Sequence, residues 1–229
     1  MNLRNILLGV LIIIIIYVVY IWYFGDGSYS YLSGTRDATK ELRVSDKYVS
    51  PGTTSDYTFS VWIYVNNWNY KLGQEKIILD RHGLMSVSLD PNVNNVLVSL
   101  ATYTEGSNAK TSHQCTLENV PLQRWSNIIM TLNNRALDLY LNGKLVRTCV
   151  LPGVPVVDKQ GGLYVTPDGG FYGYISNLQY INRAINPREA WAIYKAGYGD
   201  DSWLSNLFNK YRIKLAFMED EREVNSIEI

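Results

Sequence analysis

Residues 125–146 read WSNIIMTLNNRALDLYLNGKLV. Asn142-Gly143 stands between two runs in which apolar and polar side chains alternate. That is the signature of a hairpin with a two-residue turn, both of whose central residues take positive φ. Leu137, Leu139 and Leu141 fall on one face of the first strand, which is therefore the face expected to be buried. A two-residue loop sets Leu141 opposite Lys144, Leu139 opposite Val146 and Asp138 opposite Arg147. Asp138 and Arg147 would then form an exposed cross-strand ion pair, worth roughly a few tenths of a kcal/mol and useful for register more than for stability.

The same alternation recurs on both sides of this hairpin. Short β-type runs lie at 57–65 (YTFSVWIYV), 76–80 (KIILD), 85–90 (MSVSLD), 96–103 (VLVSLATY), 114–119, 163–166 and 173–181 (GYISNLQYI). No long helical pattern separates them, so the spacing indicates an all-β sandwich and not βαβ units. An aromatic content of 13%, with 18 Tyr and 6 Trp, agrees with that. Lys+Arg and Asp+Glu are both 21, so the formal charge is zero. A chain without basic excess is a poor nucleic-acid binder. Two Cys and two His exclude a disulfide-dense scaffold and argue against a Cys/His zinc site.

Residues 169–197 (GGFYGYISNLQYINRAINPREAWAIYKAG) carry a closing motif. Gly169-Gly170 permits left-handed backbone before Phe171, and Gly173 lets a neighbouring strand approach. Asn186-Pro187-Arg188-Glu189 is a helix start: Asn186 caps, Pro187 occupies the first turn and Glu189 suits the positive end of the dipole. The helix is expected to end at Gly197, with Trp191 and Tyr194 packed on the sheet.

Taken together, 125–146 and 169–197 resemble the concanavalin A-like lectin/glucanase domains of laminin-G type. The resemblance is carried by Trp125, Leu139, Tyr140, Asn142, Gly143, Val146, Gly170, Phe171, Gly173, Ile175, Ala184, Pro187, Glu189, Tyr194 and Gly197. The segment 58–65, with Trp62, is similar to the family's early core strand, and the likeness covers roughly 55–198. It implies a jelly roll of two curved antiparallel sheets. A membrane anchor before such a domain, with CTLENVPLQRW and LVRTCVLPGVP, also resembles virion proteins of large double-stranded DNA viruses.

That anchor is read from residues 6–24 (ILLGVLIIIIIYVVYIWYF), 19 positions without a charge. A helix of this length spans about 29 Å, close to the hydrocarbon thickness. Ile6, Ile12 and Ile16 belong to the greasy stretch; Trp22 and Phe24 belong to an interfacial aromatic belt. The run is longer than a signal peptide's apolar core, and no small-residue cleavage site follows it. Arg4 precedes the span, whereas Arg36, Lys40 and Arg43 follow it, so the positive-inside count sets the larger part on the cytoplasmic side. No asparagine heads an N-x-Ser/Thr sequon, which agrees with that placement. The expected organisation is a tail and transmembrane helix (1–24), a tether or extended arm (25–54) whose Leu42 and Val44 can pair as an edge strand, the sandwich (55–198), and a C-terminal helix with a β-hairpin (199–229).

Candidate sites are few. A glucanase needs two carboxylates flanking the glycosidic bond. The strand-borne acids Asp80, Asp90, Glu118 and Asp138 show no i, i+2 pairing, and 219–223 is a charged tail, so an enzyme is not expected. Calcium ligands are conceivable at Asp90, Asn92, Asn94, Asn95 and Asp168, but these are equally the residues of ordinary turns, and no metal or other cofactor is assigned. Glycan binding would use Trp62, Trp68 and Tyr70 with Asn66, Asn67 and Asn69 (NNWNY, 66–70), and above all Trp68, Tyr70, Asn67 and Asn69, against the alternative that Trp68 caps the sandwich edge. His82 and His113 are isolated histidines with no metal-ligand neighbour at hand. Cys115 and Cys149 are a disulfide candidate: the family resemblance favours the bond, while a cytoplasmic location favours two buried thiols. The primary functional expectation is a non-enzymatic, membrane-anchored structural protein, a minor capsid or tethering protein touching lipid and capsid proteins. The alternative is a membrane-bound carbohydrate-binding lectin.

Overall fold

The structure is a computed structural model and describes residues 9, 11–18, 28–45, 56–104, 106–157, 162–199, 214–219 and 222–228. Among these residues the strands are β1 (Ser28–Leu32), β2 (Arg36–Asp37), β3 (Leu42–Val44), β4 (Tyr57–Val65), β5 (Lys76–Arg81), β6 (Met85–Leu89), β7 (Val96–Tyr103) and β8 (Lys110–Leu117). They continue with β9 (Trp125–Asn133), β10 (Ala136–Leu141), β11 (Lys144–Val150), β12 (Leu163–Val165), β13 (Gly173–Ile181), β14 (Lys214–Glu219) and β15 (Arg222–Glu228). One antiparallel sheet runs β1-β13-β4-β9-β10-β11 with β2 also on β13, seven strands in all; a six-stranded one runs β3-β12-β5-β6-β7-β8. β14 and β15 pair with each other as a hairpin.

The core lies between the two large sheets. Phe59, Val61 and Ile63 of β4, Ile128, Met130 and Leu132 of β9, and Leu137 and Leu139 of β10 point inward from one side. Val87, Leu89, Val96, Val98, Leu100, Leu163 and Val165 meet them from the other. Burying one such side chain contributes about 1.5–3 kcal/mol, which is why the two-residue alternation fixes the fold.

The outer face of the seven-stranded sheet is also covered. Ile129, Tyr140, Ile181, Ile185 and Ala190 form a second cluster beneath the closing helix Pro187–Ala196. That helix begins with a capping box: Glu189 N donates to Asn186 Oδ1 at 3.0 Å, and Asn186 N donates to Glu189 Oε2 at 2.9 Å. Arg183 Nη2 meets Glu189 Oε1 at 2.8 Å. The hydrogen bond from Arg183, then that from Asn186, hold the Glu189 carboxyl below its usual range. A carboxyl lowered in the fold stabilises above its unfolded pKa, and that contribution is lost as pH falls through the folded value. Asn186→Ala is expected to cost about 1 kcal/mol, read as a fall of about 2–4 °C in thermal midpoint; an unchanged midpoint would mean that packing alone holds the helix.

The hairpin turn is as expected, with Asn142 and Gly143 at φ 51° and 72°. A Cβ on Gly143 would lie 2.8 Å from Tyr194 Cβ and 3.1 Å from Trp191 Cα, so this glycine also lets the closing helix sit against the turn. The register departs from expectation. Leu141 faces Lys144, but a bulge at Val146 sets Leu139 opposite Arg147 and Asp138 opposite Thr148. The Asp138–Arg147 pair is therefore not formed. Thr148 Oγ1 donates to Asp138 Oδ1 at 2.5 Å, and Arg147, moved to the inner face, reaches Glu118 Oε1 at 3.6 Å.

The extended arm pairs as an edge strand at Leu42 and Val44, as expected, and is strand also at 28–32 and 36–37, where a tether was expected. β1 pairs with β13, β2 with β13 and β3 with β12, so 28–45 supplies edge strands to both sheets. Residues 11–18 are helical with exposed side chains, Ile12 and Ile16 among them; Ile6, Trp22 and Phe24 lie outside the described residues. Among the described residues no helix is long and apolar enough to cross a membrane. The helix expected near 202–210 also lies outside them.

Candidate functional site

At one corner of the seven-stranded sheet three outward-facing rings stand side by side. Tyr174 of β13 is paired with Tyr64 of β4, and Tyr64 with Trp125 of β9. Ring centroids are 6.2 Å apart for Tyr64–Tyr174 and 5.7 Å for Tyr64–Trp125. Tyr198 stacks on Trp125 at 4.4 Å and 15°. From there the ladder passes to Trp62 (5.7 Å), Tyr194 (5.5 Å from Trp62) and Trp191 (5.3 Å from Tyr194). Trp62 is buried under this cover, whereas Tyr174 and Tyr198 are 44% and 42% exposed. Alternation along the strands creates the row: inward Val61, Ile63 and Val65 leave Trp62 and Tyr64 on the other face.

Two features hold it in place. Gly173 lies between Tyr172 and Tyr174, and a Cβ there would come 1.9 Å from Tyr64 O, so only glycine lets β13 approach β4 this closely. Ser176 Oγ donates to Tyr198 O at 2.6 Å and Asn177 Nδ2 to Gly197 O at 2.8 Å, which pins the chain after the closing helix over Trp125.

Amides border the rings. Asn66 continues β4 beyond Tyr64, its N–H donating to Tyr172 O at 2.9 Å, and Gln123 Nε2 donates to Asn66 O at 3.3 Å. Tyr172 is exposed and packs 6.3 Å from Tyr70. Exposed rings beside amides suit a ligand with apolar C–H faces and hydroxyl edges, because a ring covers the former and an amide both donates to and accepts from the latter.

The structure divides the NNWNY segment. Asn67 and Asn69 are exposed, with Asn69 N donating to Asn67 Oδ1 at 2.8 Å. Tyr70 is half-buried, its hydroxyl donating to Gly169 O at 3.0 Å. Trp68, however, is only 8% exposed and belongs to the core, with Lys76 Nζ 5.0 Å above its ring. It is not a stacking platform. Tyr174, Tyr198 and the neighbouring Tyr172 are exposed, while Tyr64 and Trp125 are half-buried in the row; the readable signal was the i, i+2 spacing of Trp62 with Tyr64 and of Tyr172 with Tyr174. Phe171 is fully buried, and Gly170, at φ 37°, lies against Ala38 O.

The remaining candidates are placed as follows. Asp90 Oδ1 accepts from Asn92 N at 2.8 Å and Val93 N at 3.0 Å; Asn94 Nδ2 donates to Val120 O at 3.2 Å, and Asn95 Oδ1 accepts from Asn119 N at 3.1 Å. These side chains close backbone turns, and Asp168 lies in a separate 3₁₀ turn, Pro167–Gly169. Among the described residues no three His, Cys, Asp or Glu side chains gather to hold a metal. Asp80, Asp90, Glu118 and Asp138 lie on or just past four different strands. Burial, reinforced by Asp168 and opposed by His82, raises the Asp80 carboxyl above its usual range. Cys115 of β8 and Cys149 of β11 form a disulfide with Cα atoms 6.2 Å apart.

A family model described as the concanavalin A-like lectin/glucanases superfamily (Laminin_G_3) matches residues 26–190. The chain belongs to that superfamily. No curated protein sequence matches it. Among solved structures, the binding domain of botulinum neurotoxin serotype G is similar at TM-score 0.53 and 14% identity, over 72% of this chain and 46% of that one. The binding domain of Paraclostridial Mosquitocidal Protein 1 is similar at 0.53 and 16%, over 74% and 46%. The ligand-binding domain of botulinum neurotoxin serotype D, solved in complex with N-acetylneuraminic acid, is similar at 0.51 and 12%, over 72% and 46%. These likenesses are of fold, and this lectin-like chain spans less than half the length of each domain.

Proposed function

We propose that this protein is a membrane-anchored, carbohydrate-binding lectin that binds a glycan and performs no reaction. The observation that carries the reading is the Tyr174–Tyr64–Trp125 row with Asn66 and Gln123 at its border. Superfamily membership supports it, as does a neighbour of the same fold solved with a sialic acid. The scattered strand-borne acids support binding without hydrolysis, since a glycosidase sets its two carboxyls across one bond. The reading as a virion or capsid-tethering protein rests on sequence resemblance alone, so the lectin reading is preferred.

Residues 6–24 supply the anchor in this proposal, and the sandwich sits on the oxidising side of the membrane. The Cys115–Cys149 bond supports that side, because such bonds persist in oxidising compartments. The basic residues that argue for the cytoplasmic side belong to the folded body: Arg36 and Arg43 lie in β2 and β3, and Arg36 Nη2 donates to Glu41 O at 2.9 Å. A charge count meant for short loops is a weak guide there.

A glycan array probed with the full chain tests the proposal. Selective binding is expected, with Tyr174→Ala, which removes a ring 44% exposed, losing about tenfold in affinity, that is about 1.4 kcal/mol, while thermal unfolding stays near the wild type. An array without binding, or binding indifferent to Tyr174→Ala, would sink the lectin reading.

A further inference from the structure

The two long margins of the sandwich are unlike. Along one, β8 and β11 are joined by the Cys115–Cys149 bond and by Arg147 Nη1 donating to Thr116 O at 3.3 Å. Along the other, the edges of β1 and β3 stand apart around a cavity of about 630 Å³ lined by Tyr29, Tyr31, Leu42, Arg43 and Val44 with Ser30 and Ser45. The lining rings are backed by the buried Tyr180, stacked 6.5 Å from Tyr29 and 6.4 Å from Tyr31. The floor is thus aromatic and aliphatic. Arg43, exposed and with its guanidinium 5.2 Å from the Tyr164 ring, supplies positive charge at the rim, and Lys40 is exposed nearby in sequence.

The length of chain before β1 decides what meets this gap. Phe24 closes the uncharged stretch and β1 begins at Ser28, so residues 25–27 are all that intervene. Fully extended, the step from 24 to 28 covers at most about 14 Å. Wherever 6–24 spans a bilayer, β1 is confined to the headgroup layer or just above it. Tyr29 and Tyr31 then continue the interfacial aromatics of Tyr20, Trp22 and Tyr23, a depth that suits their amphipathic rings.

We propose that the gap between β1 and β3 is a phospholipid site facing the protein's own bilayer, with Tyr29, Tyr31, Leu42 and Val44 against the apolar part of the lipid and Arg43 at an anionic phosphate. This rests on the anchor assigned to 6–24 and is independent of the aromatic face, which lies at another corner of the molecule. Guanidinium and phosphate match in charge and hydrogen-bond geometry. An apolar floor with a cationic rim is the chemistry of a lipid lifted partly out of its leaflet.

Photo-cross-linking tests it. The full chain is placed in nanodiscs of mixed phosphatidylcholine and phosphatidylglycerol, with p-benzoylphenylalanine in place of Tyr29 or, as control, of Val150, which is 70% exposed on the opposite margin. Lipid adducts are expected at 29 and not at 150, and about fivefold fewer at 29 when Arg43→Glu is added, the effect of one basic residue near an anionic surface. In discs that hold the chain, equal adducts at both positions, none at 29, or only protein cross-links at 29 would overturn the lipid site and leave the anchor and the lectin reading standing. A chain that does not enter the discs overturns the anchor and the lipid site together.

Discussion

Trp68→Ala is expected to cost about 3–5 kcal/mol of folding stability, the range for deleting a large buried aromatic. It should weaken glycan binding only so far as the protein unfolds. Trp68 fills the end of the core, and its ring face receives the Lys76 ammonium at 5.0 Å. Lys76 is itself buried, and desolvation pushes it below the usual lysine range against the opposing pull of Asp90. Removing the indole opens a cavity and takes away a cation–π partner that partly offsets that desolvation. Tyr174→Ala should do the reverse, leaving unfolding nearly unchanged and weakening sugar binding about tenfold, because its ring is 44% exposed. Denaturant unfolding of the two variants beside glycan titrations decides the matter. A Trp68→Ala protein that unfolds like the wild type yet binds no sugar would return the platform to the 66–70 loop.

Loss of the Cys115–Cys149 bond is expected to be of similar size. The cysteines are 34 positions apart, and closing a loop of that length is worth about 3–4 kcal/mol on the chain-entropy account. A Cys115→Ser/Cys149→Ser pair should show that drop, because β8 and β11 are each outermost in their sheets and the bond ties them across the core. Alkylation of the chain isolated from the cells that make it should find no free thiol. Two alkylated cysteines there would put the body in a reducing compartment and remove the support for the assigned side.

Much of this architecture was legible because its determinants are local. Asn142-Gly143 can hardly be anything but a tight hairpin turn, and Asn186 with Pro187 and Glu189 writes out a helix start whose capping box the structure contains. The bulge at Val146 was not legible. It inserts one residue into an edge strand whose outer side carries no burial pattern, so nothing in the alternation marks the slip that parts Asp138 from Arg147. In the segment 28–45 only the edge strand at Leu42 and Val44 was legible, and β1 was missed for a related reason. Edge strands need little apolar content, and the polar composition hid the Ser-Tyr-Ser-Tyr alternation that is β1. The aromatic face was half visible. Asn66 and Trp62 were in the expected cluster, but Gln123 was not and Trp125 read as structural; only pairing across β13, β4 and β9 shows that Tyr174, Tyr64 and Trp125 share a row.

The contrast between a stapled margin and an open one also governs how the body bears mechanical load. A pull delivered through residue 28 meets β1 at the terminus of its ladder, where Ser28 faces Ile181. Bonds strained there yield in succession, like a seam opened from its end. The stretch between Cys115 and Cys149 holds all of β9 and β10 and cannot lengthen while the sulfurs stay joined. Traction therefore peels the tyrosine-rich edge first and spares the two strands nearest the staple, so Trp125 stays inside the closed loop.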